Sequence, residues 1–309
     1  MKKVFIDGEA GTTGLRIHKR LSDRNDIKLL TIKPELRKNP AERAKLLNEA
    51  DVAFLCLPDS AAVEAVALVE NPDTVIIDAS TAHRTSPGWA YGFPELSEEH
   101  FEAIRKSKRI AVPGCHAAGF IALVYPLIEV GILPKDSRLA CFSLTGYSGG
   151  GNKMIAEYET EGRAPELDFP RVYAIEQRHK HLKEMMAISG LEKAPHFSPI
   201  VADYYSGMLV TVPLFAEMLG GDGMSDIIKI YKRKYNGEIV RYCDKIDKNG
   251  FVSSGALSGV DYMNICVMGN EDRITLCAQF DNLGKGASGS AVECMNIVLG
   301  IDPKTGLVL

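Results

Sequence analysis

The order of apolar runs along the chain predicts an α/β protein: a Rossmann-type doubly wound parallel sheet, followed by an α+β domain with a mainly antiparallel sheet. Three observations carry this. From residue 3 to residue 112, short runs rich in Val, Ile and Leu alternate with helical patterns; strands buried on both faces and their crossover helices read this way. A glycine-rich segment follows the first run directly and opens the first helical pattern. After Cys115 the runs lengthen and are no longer separated by regular helices.

In order, strands are expected over 3–7, 27–32, 52–57, 74–79 and 109–112, with helices over 15–22, 41–49, 60–70 and 98–106. Residues 117–130 read as one long, mostly buried helix. Strands then follow over 138–145, 208–213, 261–268 and 273–279, and Asn270-Glu271-Asp272 reads as the hairpin turn between the last pair. A final helix over 288–299 is expected to return to the first domain. A length of 309 residues suits two domains. The expected division is a dinucleotide-binding domain over 1–115, completed by the C-terminal helix within 286–309, and a substrate domain over 116–285.

Composition narrows the function classes. Hydrophobic residues make up 46% and charged residues 25%, ordinary globular values that exclude wholesale disorder. The 36 basic and 40 acidic residues leave a net charge of -4, so no excess positive field exists to hold a nucleic-acid backbone. No apolar window has the length of a membrane span. The seven cysteines are odd in number and lack CxxC spacing, which argues against a disulfide framework or zinc site and for a cytoplasmic setting. No cluster has metal-ligand spacing.

The segment Gly8-Glu9-Ala10-Gly11-Thr12-Thr13-Gly14 lies between the first strand and the first helix. Glycines let the backbone approach a pyrophosphate, and the helix N-terminus offers free N–H groups and a positive dipole end. Gly8, Gly11, Thr12, Thr13 and Gly14 are therefore expected to hold a dinucleotide. At the end of the second strand an acidic residue would bind the ribose of NAD. This chain instead has Lys33, Arg37 and Lys38 there, which suit the 2′-phosphate of NADP; a solvated basic loop is the alternative.

Pro113-Gly114-Cys115 joins the last parallel strand to the long apolar helix. A cysteine at a helix N-terminus is stabilised as the thiolate, the nucleophilic form; ordinary burial is the alternative reading. The adjacent His116 is expected to point elsewhere. In a helix, His181 and Glu184 share one face, an arrangement suited to acid/base work and equally to an exposed basic helix start. Arg84, in a segment that follows a parallel strand, is a candidate phosphate ligand. Ser148 and Gly149, in Thr145-Gly146-Tyr147-Ser148-Gly149-Gly150-Gly151, offer a hydroxyl and backbone amides for an anion.

Together these segments resemble the N-acetyl-gamma-glutamyl-phosphate reductases of arginine biosynthesis. The glycine loop, Pro113-Gly114-Cys115, Gly146-Tyr147-Ser148-Gly149-Gly150-Gly151 and Asp281-Asn282-Leu283-Gly284-Lys285-Gly286-Ala287-Ser288-Gly289 match in order. The last is shared with the wider semialdehyde dehydrogenase superfamily. The resemblance implies NADPH-dependent reduction of an acyl phosphate to an aldehyde by a cytoplasmic homo-oligomer, dimer or tetramer. It implies Cys115 as the nucleophile that carries a thioester. It further implies His181 as the catalytic histidine with Glu184 beside it, and His179 as a substrate contact. Asn282, Gly284, Lys285 and Gly286 would approach the nicotinamide. One departure stands out: the family often has Tyr-Pro-Thr after the cysteine, where this chain has His116-Ala117-Ala118. Rival readings are an aspartate- or aminoadipate-semialdehyde dehydrogenase and a cysteine hydrolase. The glycine loop argues against the hydrolase, since hydrolysis needs no dinucleotide.

Overall fold

The computed structural model describes residues 1–221 and 223–309. The chain divides into two compact units, one comprising Met1–Pro113 and Ala287–Leu307, the other Gly114–Gly286 and Val308–Leu309.

The first unit runs β1 (Lys2–Asp7), α1 (Thr12–Leu21), β2 (Ile27–Leu30), α2 (Pro40–Glu49), β3 (Val52–Leu55), α3 (Asp59–Ala67), β4 (Val75–Asp78), β5 (Ala90–Tyr91), α4 (Glu98–Lys106) and β6 (Arg109–Ala111). The strands form one parallel sheet in the order β2-β1-β3-β4-β6-β5. All four residues of β3 and of β4 are buried, as strands covered on both faces require. Ile17 and Leu21 of α1 and Ile104 of α4 pack on one side with Val4, Ile6 and Phe54. Leu47, Ala62 and Ala65 of α2 and α3 pack on the other with Phe5 and Ala53. Local chemistry sets the helix starts. The Asn39 side chain caps α2, with Pro40 in the first helical position, and Ser97 caps α4. α1 begins at Thr12, three residues before the expected start, because the loop glycine Gly11 itself serves as its N-cap.

The second unit runs α5 (Cys115–Glu129), β7 (Ala140–Gly146), α6 (Gly151–Glu159), β8 (Arg171–Val172), α7 (His181–Ser189), β9 (His196–Ala202), β10 (Met208–Phe215), α8 (Met224–Lys234), β11 (Val240–Tyr242), β12 (Met263–Gly269) and β13 (Arg273–Phe280). Its seven-stranded sheet has the order β11-β12-β13-β10-β7-β9-β8. The sheet is mixed: β11·β12 and β7·β9 pair parallel and the other four pairs antiparallel. The Asn270 side chain closes the β12–β13 turn by accepting from the amides of Asp272 and Arg273.

One face of this sheet carries α5, which is buried along nearly its whole length. Gly119 lets the helix settle close, since a Cβ there would lie 2.5 Å from Val210 Cγ2 and 2.9 Å from Phe280 Cε1. The opposite face leaves apolar side chains partly open. Phe142, Leu144, Leu209 and Thr211 line it in register, and Phe142 is 42% exposed. Past β13, a π-helical turn (Gly284–Ser288) leads into α9 (Gly289–Val298), which packs with α1, α4 and β4 in the first unit.

Candidate active site

In the first unit, the glycine loop sits where the strand order reverses, because β1 has β2 on one side and β3 on the other. In open α/β sheets this is where a crevice opens outside the strand ends. Gly8 has φ +88°, and a Cβ there would lie 2.3 Å from the Cys56 carbonyl oxygen at the end of β3. A Cβ at Gly14 would lie 2.5 Å from the Gly8 carbonyl oxygen. No side chain caps α1, so its first-turn amides, those of Thr12, Thr13 and Gly14, are placed for an anion. These residues fit a coenzyme pyrophosphate. Lys33 and Arg37 flank a short turn just past β2, both exposed. Arg43 grips Asp7 at the end of β1 with an ion pair at 2.8 Å. Burial raises the Asp7 carboxyl while Arg43 pulls it back down.

Arg84 donates through Nε to the Val112 carbonyl at 2.9 Å and through Nη2 to the Ala79 carbonyl at 3.2 Å. These two nitrogens brace the ends of β4 and β6, which speaks against their use on a phosphate. His83, next to it, bonds Asp78 through Nδ1 at 2.7 Å and stacks on Trp89.

The second unit gathers the thiol and the histidines. Cys115 is the first residue of α5, after Gly114 as N-cap. Its exposure is intermediate, so it is not lost in the core. The Gly114 N–H donates to Glu184 Oε1 at 2.8 Å. Glu184 is 2% exposed and belongs to α7, whose first residue is His181. The carboxylate thus clamps the backbone that presents the thiol, a role the i, i+3 spacing alone does not reveal. The His181 N–H donates to His179 Nδ1 at 3.2 Å, so the His179 ring caps the first turn of α7. The rings of His179 and His181 lie 4.6 Å apart.

His116 does not point away. Its ring lies 5.6 Å from that of His181 and 5.9 Å from that of His179, and it contacts Tyr173 and Ser143. Burial drives its pKa down to about 3, so it is neutral and no acid/base at ordinary pH. Burial also raises the Tyr173 phenol, and charge on Cys115 adds to that shift. His116 thus joins the histidine cluster without serving as the base, a placement that its position in the sequence does not reveal. Nothing in the sequence pattern singles out Tyr173, which reaches the cluster from the end of β8.

The segments Gly146–Gly151 and Asp281–Gly286 meet in the same unit. A Cβ at Gly286 would lie 3.0 Å from Cys115 Cβ, so Gly284-Lys285-Gly286 packs against the thiol residue. Asp281 holds this segment by accepting from the amides of Leu283 and Gly259. Asn282 donates to Ser148 Oγ at 3.0 Å and accepts from the Gly207 amide, which ties the turn to the Tyr147–Gly150 segment. Ser148 is buried in that tie, while Gly149 is exposed. Lys285 is buried. Burial pushes up the thiols of Cys56, Cys141, Cys243, Cys266 and Cys277. No group of metal-binding side chains is present among the described residues.

A family model described as the semialdehyde dehydrogenase NAD binding domain matches residues 13–104, and one described as the semialdehyde dehydrogenase dimerisation domain matches 115–282. The chain is 44% identical to N-acetyl-gamma-glutamyl-phosphate reductase 2 of Nostoc sp., over 99% of both chains. It is 41% identical to the protein of the same name from Pseudomonas putida, over 96% of both. Among solved structures, aspartate semialdehyde dehydrogenase II of Vibrio cholerae superposes with a TM-score of 0.72 over 97% of this chain and 98% of that one, at 14% identity. The aspartate semialdehyde dehydrogenase of Francisella tularensis gives the same score, at 14% identity, over 97% of this chain and 100% of that one. At such identity these two speak for the fold.

Proposed function

The chain belongs to the N-acetyl-gamma-glutamyl-phosphate reductase family of semialdehyde dehydrogenases, and from that premise we propose that it reduces N-acetyl-L-glutamyl 5-phosphate to N-acetyl-L-glutamate 5-semialdehyde and phosphate, a step of arginine biosynthesis. The observation that carries the mechanism is Cys115 at the mouth of α5, with Gly114 clamped by the helix that also bears His181.

The Cys115 thiolate, favoured by the helix N-terminus, attacks the acyl carbon. The bond from that carbon to the phosphate oxygen breaks, and a thioester remains on the sulfur. When bound, a reduced nicotinamide coenzyme supplies hydride. His181 holds the proton at the oxygen where negative charge grows, and amides of the α5 first turn face that charge. Collapse of the adduct returns the thiolate and frees the aldehyde. Gly8, Gly11, Thr12, Thr13 and Gly14 would hold the coenzyme pyrophosphate. Lys33 and Arg37 support NADP through its 2′-phosphate. An open groove beside His179 is lined by Arg178 and Lys180, cations suited to a substrate carboxylate.

We read the enzyme as a cytoplasmic homo-oligomer. None of the seven cysteines is in a disulfide, and among the described residues no helix is long and apolar enough to cross a membrane. The open sheet face with Phe142 supports pairing with a second copy. Purified protein given NADPH and the acetylglutamyl phosphate should lose the reduced-coenzyme absorbance in step with phosphate release. Cys115→Ser should lower turnover ~10³-fold or more while NADPH still binds. Wild-type turnover by that variant would overturn the thioester route, and faster reduction of aspartyl phosphate would overturn the substrate.

A further inference from the structure

Of residues 174–180, all but Gln177 line the open groove beside His179. The Gln177 side chain turns the other way, onto the edge of the sheet. Strand β8 pairs with β9 over two residues, Arg171 with Val201 and Val172 with Ile200, and the Tyr173 amide adds a bond to the Pro199 carbonyl at 3.0 Å. Beyond that point the chain leaves β9. The Phe197 backbone faces this edge, since the neighbouring His196 amide bonds Leu139 on the β7 side at 2.8 Å and peptide groups alternate along a strand. Gln177 supplies the rung that a longer β8 would have made. Its Nε2 donates to the Phe197 carbonyl and its Oε1 accepts from the Phe197 amide, each at 2.8 Å. One side-chain amide thus pairs as a strand residue would.

The backbone is strained to allow this. Ala174 has φ +50° and Gln177 has φ +56°, left-handed values that residues with a Cβ adopt at a cost. The Gln177 amide closes the turn onto the Ala174 carbonyl at 3.0 Å. The turn leaves Ile175 and Glu176 exposed, and Arg178 and Lys180 come out exposed on the groove with His179 between them. The His179 ring lies 5.2 Å from that of Phe197, so the strand residue that Gln177 grips also backs the histidine. Strain of this kind persists where the surroundings over-determine it, and it collects at ligand clamps.

We propose that Gln177 is a positioning residue for the substrate: its two bonds to Phe197 hold the 174–180 turn in its left-handed form and so set Arg178 and Lys180 in the groove. Gln177 touches no reacting atom and acts through those two cations. The inference rests on the reading of this groove as the seat of the substrate carboxylate. His181 stands apart from the effect, because it is buried on α7, whose Glu184 is fastened to Gly114. Loss of the Gln177 amide therefore weakens substrate binding more than turnover.

Gln177→Met keeps the length of the side chain and removes both bonds. KM for the acyl phosphate should rise about tenfold, with kcat within about threefold and KM for NADPH unchanged. Trypsin acting on the native protein should cut after Arg178 and Lys180 about tenfold faster, since the tether no longer opposes local opening. Gln177→Glu still accepts from the Phe197 amide but has no hydrogen for the carbonyl, and should fall between; it carries the test if Gln177→Met does not fold. Added to Arg178→Ala/Lys180→Ala, either variant should raise KM little further, since it acts through the side chains already removed. Wild-type KM in the folded variants overturns the proposal, even with faster cleavage, and so does an undiminished rise in KM when the two cations are absent. If the wild type reduces aspartyl phosphate and not the acetylglutamyl substrate, the substrate reading fails, and the same KM series on aspartyl phosphate decides the role of Gln177.

Discussion

The Gly114–Cys115 step is held from outside its own helix. The Gly114 amide is one of the orphan donors every helix start carries, and a carboxylate from α7 takes it. Glu184→Ala would strand that donor and free the loop, so we expect kcat to fall ~10²-fold, while Glu184→Gln, which keeps an acceptor oxygen, should fall less. Steady-state kinetics on the pair checks this, and equal losses would point to charge in place of anchoring. His116 makes a second prediction. Its folded pKa is about 3 against 6.5 in the unfolded chain, so the unfolded state takes up a proton first on acidification. The stabilisation is whole above pH 6.5 and is lost as pH falls toward 3, on the order of 1 kcal/mol per pH unit. Urea midpoints at pH 7 and pH 5 should converge in His116→Gln and diverge in the wild type. Cys115 was legible because a strand–helix junction announces a helix mouth. Tyr173 was not, because its place depends on β8 pairing with β9, a contact no local pattern encodes.

Elements follow the same division. The parallel strands were readable because burial on both faces makes them continuously apolar. β9 was hidden by Pro199 in its middle, and β5 and β8, two residues each, carry no period at all. α8 buries only Ile227 and Tyr231, too thin a stripe to announce itself. The glycine of α5 has a measurable role. Gly119→Ala should gain about 1 kcal/mol of helix propensity yet lose about 1–3 kcal/mol by pressing on Val210 and Phe280. A lower Tm is the expected result, and a raised one would show that the sheet yields at that point.

For the whole molecule, the open face of the mixed sheet predicts assembly. Phe142, Leu144 and Leu209 present apolar surface in register, and contiguous patches of this kind mark association sites. Phe142→Glu should shift sedimentation toward the monomer with an unchanged circular dichroism spectrum; a monomeric wild type would refute the pairing. The first unit is also discontinuous in sequence, since α9 supplies Val292, Met295 and Ile297 to its core from beyond residue 286. On the ribosome, residues 1–113 emerge without that helix, and synthesis at about 5–20 residues per second delays it by roughly ten to thirty-five seconds. Throughout that interval the nascent sheet shows a bare oily flank, so the segment translated second can finish first, and chaperones have a window in which to bind.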